Sequence, residues 1–211
     1  MKVLDKILII FLAGSTWGVL ELFGWDALRA LNVDRKSYIL FTVALIILVA
    51  TKLILRFPGS LIPVALITIV FKALGVKFFL CQSGAVLIDA AVVDIGYHIV
   101  KQENFKRLSI RTLAAPVMAI VAFFSFGIFR EFITHAEGFI TTGFPGAFSY
   151  TINSGLPAAL LSIIGINIGY LFGIYAGDKL VSKKTEGRAF GLFQTVGMMV
   201  ILLIWATLFL R

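Results

Sequence analysis

A chain of 211 residues that is 60% hydrophobic and only 14% charged, with a mean hydropathy of +1.01, has too little polar surface to cover a water-soluble globule. The composition therefore predicts an all-α fold, a polytopic transmembrane helical bundle of six to seven spans, with residues 1–211 as a single integral membrane domain. The net charge of +8 resides on basic residues that flank apolar runs, which points to membrane lipid as a partner and excludes nucleic acid. Cys81 is the single cysteine, so an intramolecular disulfide is excluded too.

The first apolar segment covers residues 7–24 and follows Lys2 and Lys6. No small-x-small cleavage site follows it closely and similar runs recur along the chain, so it is expected to be a retained span and not a signal peptide. Gly14 and Gly18 stand four apart on one face of it, a spacing that lets another helix approach closely. Residues 25–37 are too polar to span; Trp25, Leu28 and Leu31 recur at helical spacing and predict a short amphipathic cap on the membrane surface. Segment 2, residues 38–55, is almost featureless and is expected to face lipid. Phe57-Pro58-Gly59-Ser60 predicts a tight turn into segment 3, residues 60–80, which holds Pro63 in its first turn, Lys72 deep inside and Lys77 near its far end.

Segment 4, residues 82–100, carries Asp89 and Asp94, and a basic connection over 101–111 follows it. Segment 5 covers residues 112–133, with Pro116 early and Arg130-Glu131 at its end. Residues 134–155 predict a long connection rich in Gly, Thr and aromatics, of a length that often serves as a lid or binding loop. Segment 6, residues 156–177, places Gly165, Gly169, Gly173 and Gly177 on one face, for close packing within the bundle or for docking a partner helix. A second basic connection, 178–189, precedes segment 7, residues 190–210.

Seven spans place Lys2, Lys6, Lys52, Arg56, Lys101, Lys106, Arg107, Arg111, Lys179, Lys183, Lys184 and Arg188 on the side of the amino terminus, with Arg29, Arg35, Lys36, Lys77 and Arg211 opposite. By the positive-inside rule that side is cytoplasmic. The helical rise of about 1.5 Å per residue then puts Glu21 and Lys72 about 20 Å from the cytoplasmic face, and Asp89 about 10 Å in from the other. These depths coincide within a hydrocarbon core of about 30 Å. Arg130 and Glu131 reach the same half nearer the surface, and Trp17 lies deeper. Two readings follow: structural ion pairs such as Glu21 with Lys72, or a polar cavity closed by residues 25–37 and 134–155. Asp94 lies about 140° round the helix from Asp89, so it is expected to pair internally and not to share a ligand with Asp89.

His98 and His135 fall near opposite ends of their spans, too far apart for one metal ion. The sequence has no H-E-x-x-H, P-loop, G-x-S-x-G or paired His/Cys spacing, so neither a metal site, a cofactor nor an enzyme is predicted. A small intramembrane enzyme using Asp89 or Glu131 and a noncatalytic scaffold with structural ion pairs are the competing classes.

The run Gly14-Ser15-Thr16-Trp17-Gly18-Val19-Leu20-Glu21, followed by Pro58-Gly59-Ser60 and then Lys72, resembles the substrate-binding S components of energy-coupling factor transporters. The resemblance covers residues 8–97 and implies a small bundle that binds a vitamin-like micronutrient in its outer half. It also implies a transmembrane coupling subunit and cytoplasmic ATPases supplied by other chains, with Gly14 and Gly18 as a docking face. On this reading Glu21, Lys72, Asp89, Arg130, Glu131 and Trp17 bind a small-molecule substrate, while Gly14, Gly18, Gly165, Gly169 and Gly173 are candidates for partner-helix docking. S components usually have six helices, and this sequence predicts seven.

Overall fold

In the computed structural model of the chain, residues 3–34, 36–75, 80–133, 143–182 and 187–209 are described, with side chains given for 3–178 and 195–206 of these. The expectations for Lys2, Arg35, Lys77, His135, Lys183, Lys184 and Arg211, and for most of the connection beginning at 134, lie outside the described residues. The described residues are helical, with no strand among them: α1 (Val3–Ala30), α2 (Ser37–Leu55), α3 (Leu61–Gly75), α4 (Leu80–Val100), α5 (Gln102–Phe105), α6 (Leu108–Phe132), α7 (Phe144–Tyr150), α8 (Leu156–Ser182) and α9 (Gly187–Phe209). A π turn, Thr151–Gly155, joins α7 to α8.

Among the described residues five helical stretches are long and apolar enough to cross a membrane: α1, α2, α4, α6 and the continuous run Phe144–Asp178. α3 has 15 residues, about 22 Å of helix, and is shorter than a full hydrocarbon crossing.

Glycine contacts fix the relative directions of the helices. Gly14 meets Val64 and Ile67, and Gly18 meets Phe71, so α1 and α3 run parallel. Gly197 meets Leu8 and Trp205 Nε1 donates to Ser15 Oγ at 2.9 Å, which makes α9 parallel to α1 as well. Gly165, Gly169 and Gly173 advance along Thr42, Ile46 and Leu53, so α8 is parallel to α2. Gly84 against Phe129 and Gly96 against Met118 make α4 antiparallel to α6, and Gly127 against Ala147 with Gly155 against Phe123 does the same for α6 and the α7–α8 run. The long helices therefore alternate in direction along the chain, and α1, α3, α6 and α9 point the same way.

Three expectations are corrected here. Segment 2 does not face lipid: Ala44, Leu45, Leu48 and Val49 of α2 are completely buried, and α2 packs chiefly on α8. An all-round apolar helix suits either a buried position or lipid, and the glycine stripe of α8 decides between them by letting α2 approach. Residues 25–30 are not a separate surface cap but the last turns of the 28-residue α1. The expected 134–155 connection ends in helix from Phe144 onward. The faces turned away from the bundle carry exposed apolar side chains, such as Leu156, Leu160, Ile164, Leu171 and Phe172 on α8, as a lipid-facing surface requires.

At the amino-terminal end a buried ion pair ties three elements together. Lys52 Nζ lies 2.8 Å from Asp94 Oδ1 and also donates to Phe57 O at 2.8 Å. Asp94 accepts the amides of Gly59 at 3.1 Å and Leu61 at 2.9 Å, and so satisfies orphan donors at the start of α3. The internal pairing of Asp94 is thus observed, while Lys52 is a buried structural residue and not a topological marker. Arg111 is corrected likewise. It lies inside α6, buried, with its guanidinium 3.6 Å from the centre of the Tyr170 ring and donating to Phe105 O at 2.9 Å and Lys106 O at 2.7 Å.

Candidate functional site

The opposite end of the bundle holds a cavity of about 420 Å³. Its wall follows from helical periodicity, which puts residues three and four apart on one face. α4 presents Gln82, Ala85, Val86 and Asp89, and α1 presents Glu21, Leu22, Trp25, Asp26 and Arg29. The first turns of α2 add Ser37, Leu40 and Phe41, α6 adds Ala122, Phe123 and Phe126, α3 contributes Lys72, and α7 ends at Tyr150.

Lys72 Nζ stands 3.1 Å from Glu21 Oε2, with both side chains mostly buried. The pair forms because parallel packing of α1 on α3, allowed by Gly14 and Gly18, brings residue 21 level with residue 72. Trp17, one turn before Glu21, donates from Nε1 to Glu21 Oε1 at 3.4 Å and is 1% exposed. Asp89 faces this pair and feels the charges of both Glu21 and Lys72. No described donor bonds to its carboxylate, and Asp89 keeps accessible surface on the cavity wall.

Aromatic rings make up much of the remaining lining. Phe41 and Phe123 meet edge to face at 5.4 Å, Phe123 and Tyr150 stack at 5.7 Å, and Phe126 meets Tyr150 at 5.6 Å. Ser37 of α2 and Tyr150 of α7 both line the cavity. Arg130 lies 4.7 Å from the centre of the Tyr150 ring and pairs with its buried neighbour Glu131. A π turn follows Tyr150 directly and leads into α8.

Three of the six expected substrate-binding residues, Glu21, Lys72 and Asp89, thus line one cavity. The other three are corrected: Trp17 is a core residue behind Glu21, and Arg130 and Glu131 form a pair behind Tyr150. The glycine faces considered for partner-helix docking are filled from within the chain. A Cβ on Gly18 would lie 2.7 Å from Phe71 Cδ1, one on Gly14 2.7 Å from Val64 O, and one on Gly169 2.7 Å from Ile46 O, while Gly165 and Gly173 are covered by α2 in the same way. Sequence reasoning missed Asp26, Arg29, Gln82 and the rings of Phe41, Phe123, Phe126 and Tyr150. Gln82 was accessible from its spacing to Asp89; the aromatic rings carried no signal distinguishing a cavity wall from lipid.

Compared with known protein families, characterised proteins and solved structures, the chain matches none.

Proposed function

We propose that this chain is a substrate-binding membrane subunit that holds a small, vitamin-like molecule in the cavity between α1, α2, α3, α4 and α6. The observation that carries this reading is the convergence of Glu21, Lys72 and Asp89 on one aromatic-lined cavity. Charged residues inside a membrane protein are costly, and facing a wet cavity is one of the few ways to accommodate them. A volume of about 420 Å³ lies within the range of roughly 300–1,000 Å³ typical of small-molecule sites.

The reading extends to a six-to-seven-span bundle like the S components of energy-coupling factor transporters, in a prokaryotic plasma membrane. Lys6, Arg56, Lys101, Lys106 and Arg107 then mark the cytoplasmic end, with the amino terminus. The cavity opens outward. Import is driven by a coupling subunit and ATPases on other chains, since the sequence has no P-loop, and the chain itself is no enzyme. The coupling subunit meets a face other than the Gly14–Gly18 stripe, which α3 occupies.

Native mass spectrometry of the purified chain tests the proposal. The wild type is expected to carry a co-purifying small molecule, and the folded fraction of Lys72→Ala to lose at least nine-tenths of it. A wild type that emerges empty from membranes, and stays empty after incubation with a vitamin extract, overturns the reading. The competing reading is a noncatalytic assembly scaffold, favoured by the closure of both Lys52–Asp94 and Glu21–Lys72 within the chain. It predicts a stable partner in crosslinking and no bound solute.

A further inference from the structure

Among the described residues the charges around the cavity do not balance. Glu21, Asp26 and Asp89 face Arg29 and Lys72, while Arg130 behind Tyr150 is matched by Glu131. Glu21 is taken by Lys72 at 3.1 Å. Asp26 and Arg29 lie on exposed turns of α1 toward the mouth, where water screens them. Asp89 is left as a carboxylate deep in the bundle that accepts no hydrogen bond from a described residue.

A carboxylate at the edge of a low-dielectric bundle is poorly solvated unless donors or a positive charge reach it. The wall opposite is largely aromatic: Phe41, Phe123, Phe126 and Tyr150 line it, and the faces of such rings attract cations. An anionic ligand would meet Asp89 and Glu21 in this space. Lys72 reaches Asp89 electrostatically but is ion-paired with Glu21, so a ligand that brings a positive charge gives Asp89 a direct counter-ion and lays a flat body against the rings.

Resting on the reading of this cavity as a substrate site, we infer that its ligand is an organic cation with an aromatic or similarly flat ring. Its ammonium or cationic nitrogen sits against Asp89 and its ring among Phe41, Phe123, Phe126 and Tyr150. Gln82, on the same face of α4 about two turns before Asp89, offers a neutral hydrogen-bonding group on the cavity wall. Lys72 stays engaged with Glu21 and sets an upper limit on how much positive charge the site accepts.

The test is isothermal titration of the full chain in lipid nanodiscs with 2-phenylethylammonium, 3-phenylpropanoate and zwitterionic phenylalanine. The ammonium is expected to bind at least tenfold more tightly than the carboxylate. Asp89→Asn should abolish that preference, whereas Asp34→Asn on the exposed α1–α2 connection should retain it. If Asp89→Asn fails to fold, Phe126→Leu serves instead, with an expected loss of at least fivefold in the preference for 2-phenylethylammonium over butylammonium. Tighter binding of 3-phenylpropanoate or phenylalanine, abolished by Lys72→Ala, overturns the cationic class while the substrate-site reading stands. Binding of none of the three, or a charge preference unchanged by Asp89→Asn, overturns the inference; the mass-spectrometric result decides the substrate-site reading separately.

Discussion

Asp89 and Asp94 stand five residues apart on α4 and end in opposite circumstances. Asp94 is closed off by Lys52 at 2.8 Å and by two backbone amides at the start of α3, whereas Asp89 looks into open space. Removing one partner of a buried pair leaves an uncompensated charge, which costs about 3–5 kcal/mol. Asp94→Ala is therefore expected to destabilise the folded chain by about that amount, because it strands Lys52 and uncaps α3 together. Chemical unfolding in detergent, followed by far-ultraviolet circular dichroism, measures it; a loss below about 1 kcal/mol would show that water reaches the pair and that it behaves as a surface bridge. The angular offset of the two carboxylates was legible in the sequence. Which of the two would find a lysine was not, because Lys52 lies 42 positions from Asp94 and looked like an ordinary residue at a membrane edge.

At the scale of the helix, four glycines spaced by four on α8 behave differently from one another. A Cβ on Gly169 would meet the Ile46 carbonyl oxygen at 2.7 Å, a backbone atom that cannot step aside, while one on Gly177 meets nothing within 4 Å. Gly169→Ala is expected to destabilise by about 1–3 kcal/mol through forced separation of α2 and α8. Gly177→Ala should be neutral or stabilising by up to about 1 kcal/mol, since alanine is the better helix former. Equal effects of the two substitutions in the same unfolding assay would refute this account of the stripe. The periodicity identified the face, but its two readings, internal packing and external docking, differ only in what lies opposite. The partner turned out to be α2, the segment whose plain apolar sequence had suggested lipid.

At the scale of the molecule, the alternating helix directions place the α2–α3 turn and the α4–α5 junction at one end and the α1–α2 connection at the other. In a Cys81→Ser background, Arg56→Cys and Lys101→Cys are expected to react with a membrane-impermeant maleimide from one side of sealed vesicles, and Asp34→Cys from the other. Labelling of Asp34→Cys and Lys101→Cys from the same side would break the alternation and with it the placement of the cavity relative to the membrane. The two ends of the bundle are chemically unlike. One is closed by the Lys52–Asp94 network and by Arg111 stacked on Tyr170, while the other holds the cavity.

By itself the sequence determined that the chain is helical and membrane-bound, approximately where each long helix lies, and that Glu21, Lys72 and Asp89 share a depth. Hydropathy and the fixed rise of an α-helix are local quantities that survive without knowledge of the neighbours. Only the tertiary structure decided which apolar faces are core and which are lipid, because in a bilayer both environments favour the same side chains and hydropathy carries no sign to separate them. For the same reason it alone assembled Phe41, Phe123, Phe126 and Tyr150 into one wall, withdrew Trp17, Arg130 and Glu131 from the cavity, and left Asp89 facing it with no hydrogen-bond donor among the described residues.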